Sequence, residues 1–362
     1  MKRVVPMKKL CIVLLLFLAL VTPARGAELP EDLLRAAPEG TEELLSDGNV
    51  TSFTDGIASI WNKVTAGIGN IFRSRLRDVV VLLLVVLLCG VVDGTFQGTA
   101  AKRLTNYTPM AGAVSITLLS AGSLHSLIGL GAETIGQLSM FSKVLLPTLA
   151  AATAASGSIG RATVQQVGAV FLVDVLLSLI NGLLLPLVYL YIGAITASAM
   201  LPGGQLGGVA EALKKIITWL LTGAMVLFTG YLTVTNIISG STDAMTVKLA
   251  KSAISGVVPV VGSIIADASE TVLAGAGVLK NTIGVFGMLA VLSACILPFV
   301  QLGIQYLLYK LAAFVSATVG PPPMVKLLSG LGGAFGLVLG MTGACALLLM
   351  VSILASVAAV VP

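Results

Sequence analysis

The sequence predicts an all-α, polytopic integral membrane protein with about seven to eight transmembrane helices, a cleavable signal peptide and an N-terminal amphipathic helix. Hydrophobic residues make up 57% of the 362 residues and charged residues only 10%, and the mean hydropathy is +1.04. A soluble domain of this size needs a charged surface that this chain lacks. From residue 79 onward, apolar runs dominate the chain, so most of it is expected in the membrane.

Residues 1–26 have the three parts of a secretory signal peptide. The apolar run Leu10–Val21 is followed by the small-residue cleavage site Ala24-Arg25-Gly26. It is preceded by four basic residues, Lys2, Arg3, Lys8 and Lys9. The run is short for a transmembrane helix, and an uncleaved signal anchor is the alternative.

Cleavage changes the charge balance of the chain. Five basic residues leave with the peptide, so the 21 basic residues fall to 16, equal to the 16 acidic ones. The pI near 9.0 is therefore a property of the targeting segment. It does not indicate a nucleic-acid partner.

Residues 27–77 are predicted to form an extracytoplasmic acidic segment and an amphipathic helix. The apolar positions of the helix recur at helical spacing: Ile57, Ile60, Trp61, Val64, Ile68, Ile71 and Phe72. Polar residues occupy the opposite face: Asn62, Lys63, Asn70 and Arg73. Such a helix either lies at the membrane surface or docks on the protein's own helices or on a partner.

Eight apolar stretches in 78–238 and 281–362 are interpreted as candidate spans: 79–92, 109–130, 144–159, 164–180, 183–200, 216–238, 281–309 and 330–361. The first is short, and Asp78 and Asp93 bound it. Asn181-Gly182 and Pro186 indicate a break between the fourth and the fifth, and Pro298 indicates a bend in the seventh.

Basic residues indicate the topology of these spans. With the N-terminus outside, the cytoplasmic segments carry most of the later cations: Lys102, Arg103, Arg161, Lys214, Lys215, Lys310 and Lys326. Residues 239–280 then lie outside. Arg73, Arg75 and Arg77 conflict with this topology, because they precede the first span on the outer side.

The sequence does not predict an enzyme, and it indicates no metal site or cofactor. It contains one histidine, no Gly-Lys pair of a P-loop and no G-x-S-x-G nucleophile motif. Asp174 and His125 are the titratable groups well inside predicted spans. An ionised carboxylate there costs several kcal/mol unless it is paired or hydrated. Asp174 is therefore either a relay group or a carboxyl group that locks helices together.

Residues 239–280 form a polar segment between two apolar stretches. Charges of both signs alternate with apolar residues too numerous for a free loop, and Pro259 and Gly262 would form a bend. The segment is interpreted as a polar or re-entrant hairpin, with a solvated loop as the alternative. The candidate functional residues are Asp243, Lys248, Lys251, Pro259, Gly262, Asp267, Lys280 and Asn281, together with Asp174.

Gly332, Gly336 and Gly340 recur every four residues in the last span. Small residues at this spacing let another helix approach closely. Packing within the chain is favoured over oligomerisation.

Several short motifs resemble the stage III sporulation protein AE family. They are Thr242-Asp243-Ala244 with Lys248 and Ala250-Lys251, Val258-Pro259-Val260 with Gly262, Asp267-Ala268 with Thr271, Leu279-Lys280-Asn281-Thr282 with Gly284, Phe286 and Gly287, and Tyr309-Lys310-Leu311-Ala312-Ala313. The order of signal peptide, acidic segment and multiple spans is also similar. The first 75 residues match in character only.

The resemblance implies a membrane subunit of the secretion-like channel complex that joins mother cell and forespore and supports late forespore gene expression. It implies a location in the mother-cell membrane around the forespore. The implied partners are the other proteins of the stage III sporulation operon, including a secretion-type ATPase, and stage II sporulation protein Q through the complex. The alternative function is a free-standing transporter or permease with Asp174 and His125 as coupling groups.

Overall fold

A computed structural model describes residues 29–39, 41, 45–46, 49–50, 52–96, 107–156, 167–201, 206–257 and 262–357. For 45–46, 49–50, 96, 167, 235–257 and 262–274 it describes the course of the backbone only. The predicted signal peptide, Pro259 and the basic residues Lys102, Arg103 and Arg161 lie outside the described residues.

The described chain is all-helical apart from one small ribbon, which confirms the all-α part of the predicted fold class. The helices are α1 (Glu31–Arg35), α2 (Phe53–Phe96), α3 (Thr108–Ala155), α4 (Val167–Leu179), α5 (Leu185–Met200), α6 (Gly207–Val257), α7 (Gly262–Ser316) and α8 (Pro322–Val357). A π-helical turn, Ile180–Leu184, joins α4 to α5. The two-residue strands β1 (Leu45–Ser46) and β2 (Asn49–Val50) pair antiparallel.

Five helical stretches are long and apolar enough to cross a membrane: Thr108–Ala155, Gly168–Met200, Gly207–Val234, Gly275–Ser316 and Pro322–Val357. The first predicted span, 79–92, is not among them. It is continuous with the predicted amphipathic helix, and both belong to α2. The run is shorter than the roughly 20 residues that cross a hydrocarbon core.

The second and third predicted spans form one helix, α3, of 48 residues. The intervening residues 131–143 are more polar than their neighbours, which suggested a loop, but no proline interrupts them. Polar side chains alone do not end a helix. A helix is interrupted where a residue such as proline lacks the backbone N–H or clashes with the preceding turn. At about 1.5 Å per residue, α3 is about 70 Å long, so part of it extends beyond a core of about 30 Å.

The predicted break at Asn181-Gly182 and Pro186 is also absent. The π turn contains Asn181 and Gly182, and Pro186 lies in the first turn of α5. A π turn accommodates a proline because it changes the local hydrogen-bond register without ending the helix. Residues 168–200 therefore form one apolar stretch.

Helix α7 is the centre of the bundle. It packs against α8 most extensively and also against α3 and α2. Every residue from Thr282 to Val291 is buried, so this stretch is enclosed on all sides. A helix that is apolar around its whole circumference is typical of the interior of a large bundle.

The bundle has two ends that the contacts define. At the turn end, residues 317–321 connect α7 to α8, and Gly90 of α2 lies against Val319. Near the middle of α7, Gly56 of α2 lies against Leu289. The hairpin end lies at the start of α7, where α6 ends at Val257 and α7 begins at Gly262. Helix α1 lies against α3 with Leu33 completely buried.

Candidate functional site

The predicted polar hairpin is helical on both sides of its centre. Residues 239–257 continue α6, and Gly262 is the first residue of α7. Asp243, Lys248 and Lys251 therefore lie along the last turns of α6, and Asp267 lies near the start of α7. Re-entry into the membrane stays a prediction, because the structure contains no membrane.

Lys280 and Asn281 lie where the hairpin end meets the enclosed part of α7. The side chain of Lys280 is completely buried and Asn281 is half-buried. A buried ammonium group is costly unless polar groups surround it. Lys280 therefore lies at the boundary between the charged hairpin and the enclosed apolar part of α7.

Two glycines after Lys280 allow neighbouring helices to approach α7. A Cβ at Gly287 would lie 2.9 Å from Leu145 Cδ1 of α3, and a Cβ at Gly284 would collide with Val357 Cγ2 of α8. Phe286 lies edge-on to Phe141 of α3, with ring centroids 6.5 Å apart. The glycines and the ring thus hold α3 and α8 against the segment that follows Lys280.

The amphipathic part of α2 docks on the same segment at its beginning. Phe53, Ile57 and Ile60 pack against a small cluster formed by Val285 and Leu289 of α7. Farther along the predicted apolar stripe, Val64 is buried, while Trp61, Ile68 and Phe72 are exposed. The stripe therefore docks on the protein's own helices over part of its length and faces outward over the rest.

A second polar group lies nearer the turn end of α7. The Tyr309 hydroxyl donates a 3.0 Å hydrogen bond to Ser120 Oγ of α3, and its ring lies edge-on to Phe335 of α8 at 5.2 Å. Gln305, one turn earlier, is completely buried and makes no hydrogen bond of normal geometry within the described residues. No local sequence pattern indicated a role for Gln305 or Ser120.

Lys310 is tied to the start of α8. Its Nζ donates to the Ser329 carbonyl oxygen at 3.1 Å and to Ser329 Oγ at 3.0 Å. On the other side of α8, the Tyr191 hydroxyl donates to the Gly330 carbonyl oxygen at 3.0 Å. These bonds satisfy polar groups that would otherwise be costly in an apolar bundle.

The three glycines predicted for helix packing face two different helices. A Cβ at Gly332 would lie 3.1 Å from Tyr309 Cβ, and one at Gly336 would lie 2.9 Å from Tyr306 Cδ2, both on α7. Gly340 points elsewhere, since its nearest neighbour is Leu221 Cδ2 of α6 at 3.7 Å. Gly343, whose Cβ would lie 3.1 Å from Phe299 Cε2, continues the face toward α7.

Asp174 forms an ion pair with Lys143 of α3, with Oδ1 and Nζ 3.4 Å apart. The pair links α4 to α3, as expected of a carboxylate that locks helices together. His125 lies 18 residues before Lys143 on α3, about 27 Å along the helix axis. The structure therefore does not bring His125 and Asp174 together as a coupling pair.

Among the described residues, no group of three or more His, Cys, Asp or Glu side chains is arranged to hold a metal ion. The polar groups that the structure does bring together are amides, hydroxyls and lysines inside the bundle. Such groups orient the helices against one another.

Comparison with known proteins agrees with the resemblance seen in the sequence. The family model described as "Stage III sporulation protein AE (spore_III_AE)" matches residues 41–360. The chain is also 26% identical over 251 residues to "Stage III sporulation protein AE" of Bacillus subtilis (strain 168), an alignment that covers 68% of this chain and 62% of that protein. The aligned part is thus less than two thirds of the relative's length.

No solved structure matches the chain. The family match, in contrast, covers the amphipathic helix, all five apolar helical stretches and the polar hairpin. The chain belongs to the stage III sporulation protein AE family.

Proposed function

We propose that the protein is a membrane subunit of the secretion-like channel complex between mother cell and forespore, required for late forespore gene expression during endospore formation. The observation that carries the proposal is the family match over residues 41–360, which includes every described helix from α2 to α8. A bundle with five apolar stretches and buried polar groups along α7 supports a membrane component of such a complex.

The proposed location is the mother-cell membrane around the forespore, with several membrane crossings. The proposed partners are the other stage III sporulation operon proteins, including a secretion-type ATPase, and stage II sporulation protein Q through the complex. The protein itself is proposed to be non-enzymatic. In this arrangement the energy for the complex comes from a partner, which is consistent with the lack of a Gly-Lys pair.

Partner contact is assigned to the hairpin end. There α6 continues past the predicted span 216–238 to Val257, and α7 begins at Gly262, before the predicted span 281–309. The continuations carry Asp243, Lys248 and Asp267. Charges of both signs on projecting helices favour one orientation of a partner over others.

The first test is an in-frame deletion in the native host. We expect normal vegetative growth, engulfed forespores, and loss of both heat-resistant spores and a late forespore reporter, all restored by the wild-type gene. Normal sporulation of the deletion strain, or a growth defect tied to one solute, would contradict the proposal.

The second test reverses charges at the hairpin end. The hairpin variant combines three substitutions in one chain: Asp243→Lys, Lys248→Glu and Asp267→Lys. It is expected to remain in the membrane but not to co-purify with the operon partners. Lys214→Glu and Lys215→Glu, near the opposite end, form the control. Sporulation and assembly that remain intact in the hairpin variant would remove the hairpin from the proposed interface.

A further inference from the structure

A groove between α2 and α3 combines basic and apolar walls. It has a volume of about 600 Å³. The polar wall comes from α2, where Asn70, Arg73, Ser74, Arg77 and Asp78 follow one another at helical spacing. The apolar wall is formed by Val81, one turn after Arg77, and by Leu119 of α3.

The two arginines in the groove are available to a ligand. Arg73 and Arg77 are both exposed, and neither forms an ion pair within the residues that the structure describes. They lie four residues apart and therefore project from the same face of α2. Two guanidinium groups at this spacing, with the Asn70 amide and the Ser74 hydroxyl beside them, suit a phosphate group. Asp78 is the one carboxylate in the groove, so the net charge of its wall is positive.

The apolar wall continues outside the groove as an exposed surface. Leu84 and Leu88 of α2 are 53% and 66% exposed, and Leu118 of α3 is 72% exposed. An apolar surface this extensive needs contact with lipid or protein. Because the basic and apolar surfaces adjoin, one molecule with a phosphate at one end and hydrocarbon chains at the other contacts both.

The groove lies at the level of other cations of the bundle. Leu119 precedes Ser120, which accepts the hydrogen bond from Tyr309, and Lys310 follows Tyr309 in α7. A row of basic residues at one level is typical of the boundary between hydrocarbon and headgroups.

We propose that this groove binds the headgroup phosphate of an anionic phospholipid, with Arg73 and Arg77 holding the phosphate. The acyl chains lie along Val81 and Leu119 and the exposed leucines beyond them. This inference does not depend on the proposed role in a channel complex, because lipid binding is measured on the purified protein alone.

The test uses full-length protein in dodecyl maltoside micelles, with bound lipid counted by native mass spectrometry. The probes are phosphatidylglycerol and phosphatidylethanolamine. We expect selective retention of phosphatidylglycerol, reduced about 30-fold in Arg73→Gln/Arg77→Gln, since each of the two cations near a lipid surface contributes about 1 kcal/mol and about 1.4 kcal/mol is a factor of ten. Inorganic phosphate should not displace the lipid, because the apolar wall does not contribute to its binding.

The matched control is Arg75→Gln/Lys215→Gln, which removes two positive charges outside the groove. It is expected to retain phosphatidylglycerol as the wild type does. If the arginine variant is poorly folded by thermal melting, Ser74→Asp replaces it, since this exposed position adds a negative charge within the groove. Equal losses in groove and control variants, equal retention of both lipids, or displacement by inorganic phosphate would overturn the proposal.

Discussion

At the scale of single residues, the ion pair between Lys143 and Asp174 decides what the intramembrane carboxylate does. Both side chains are partly exposed, 61% and 46%, so the pair contributes about 0–1 kcal/mol. The pair stabilises the contact of α3 with α4. No described group other than Lys143 forms an ion pair with Asp174.

Exchanging the charges of Lys143 and Asp174 distinguishes a structural ion pair from a direct role of Asp174 in coupling. Lys143→Asp places two carboxylates together and is expected to lower the stability of the purified protein by about 1 kcal/mol or more, with fewer heat-resistant spores. Lys143→Asp/Asp174→Lys should restore the melting temperature and spore count. Restored melting without restored sporulation would instead assign Asp174 a direct role.

At the scale of helices, glycines on α8 determine how closely α7 packs. The Cβ of a side chain at position 332 would lie 3.1 Å from Tyr309 Cβ and 3.6 Å from the backbone nitrogen of Lys310. Backbone atoms cannot move aside as a flexible side chain can, so a larger residue there separates the two helices.

Leucine at two glycines tests this packing. Gly332→Leu is expected to destabilise the bundle by about 1–3 kcal/mol, because α8 must move away from α7. Gly340→Leu is the matched control, since position 340 is exposed and its nearest neighbour is the end of a leucine side chain. Its effect should stay within about 0.5 kcal/mol. Thermal melting in detergent measures both, and equal melting temperatures would contradict the assigned packing faces.

The sequence predicted helices better than their ends and contacts. Composition and periodicity indicated an all-helical membrane protein, because burial in lipid or protein requires those residues. They did not show that 131–143 continues α3, since polar residues occur in helices and loops alike. The hydrogen bond from Tyr309 to Ser120 joins residues 189 positions apart, and no local pattern encodes it. Spacing alone likewise did not show that Gly340 faces α6.

At the scale of the whole molecule, the contacts place the basic residues of three helices at one level. Arg77 and Leu119 line the same groove, and Ser120 bonds to Tyr309 beside Lys310. Across α8, a Cβ at Gly333 would lie 3.7 Å from Lys214 Nζ. These contacts place Arg77 at the same level of the bundle as Lys310 and Lys214. The sequence, in contrast, predicted Arg77 outside the membrane and the two lysines inside.

If the three residues lie at one level, Arg77 cannot be outside the membrane while Lys310 and Lys214 are inside. The preference of arginine and lysine for the cytoplasmic side favours a common cytoplasmic level for all three.

Cysteine labelling tests this topology in intact cells. In a chain whose native Cys11, Cys89, Cys295 and Cys345 are replaced by alanine, Arg77→Cys and Lys215→Cys should react with an impermeant maleimide only after the membrane is opened. Reaction of Arg77→Cys from the outside would instead restore 79–92 as the first transmembrane segment, since a crossing at that run would separate Arg77 from Lys215.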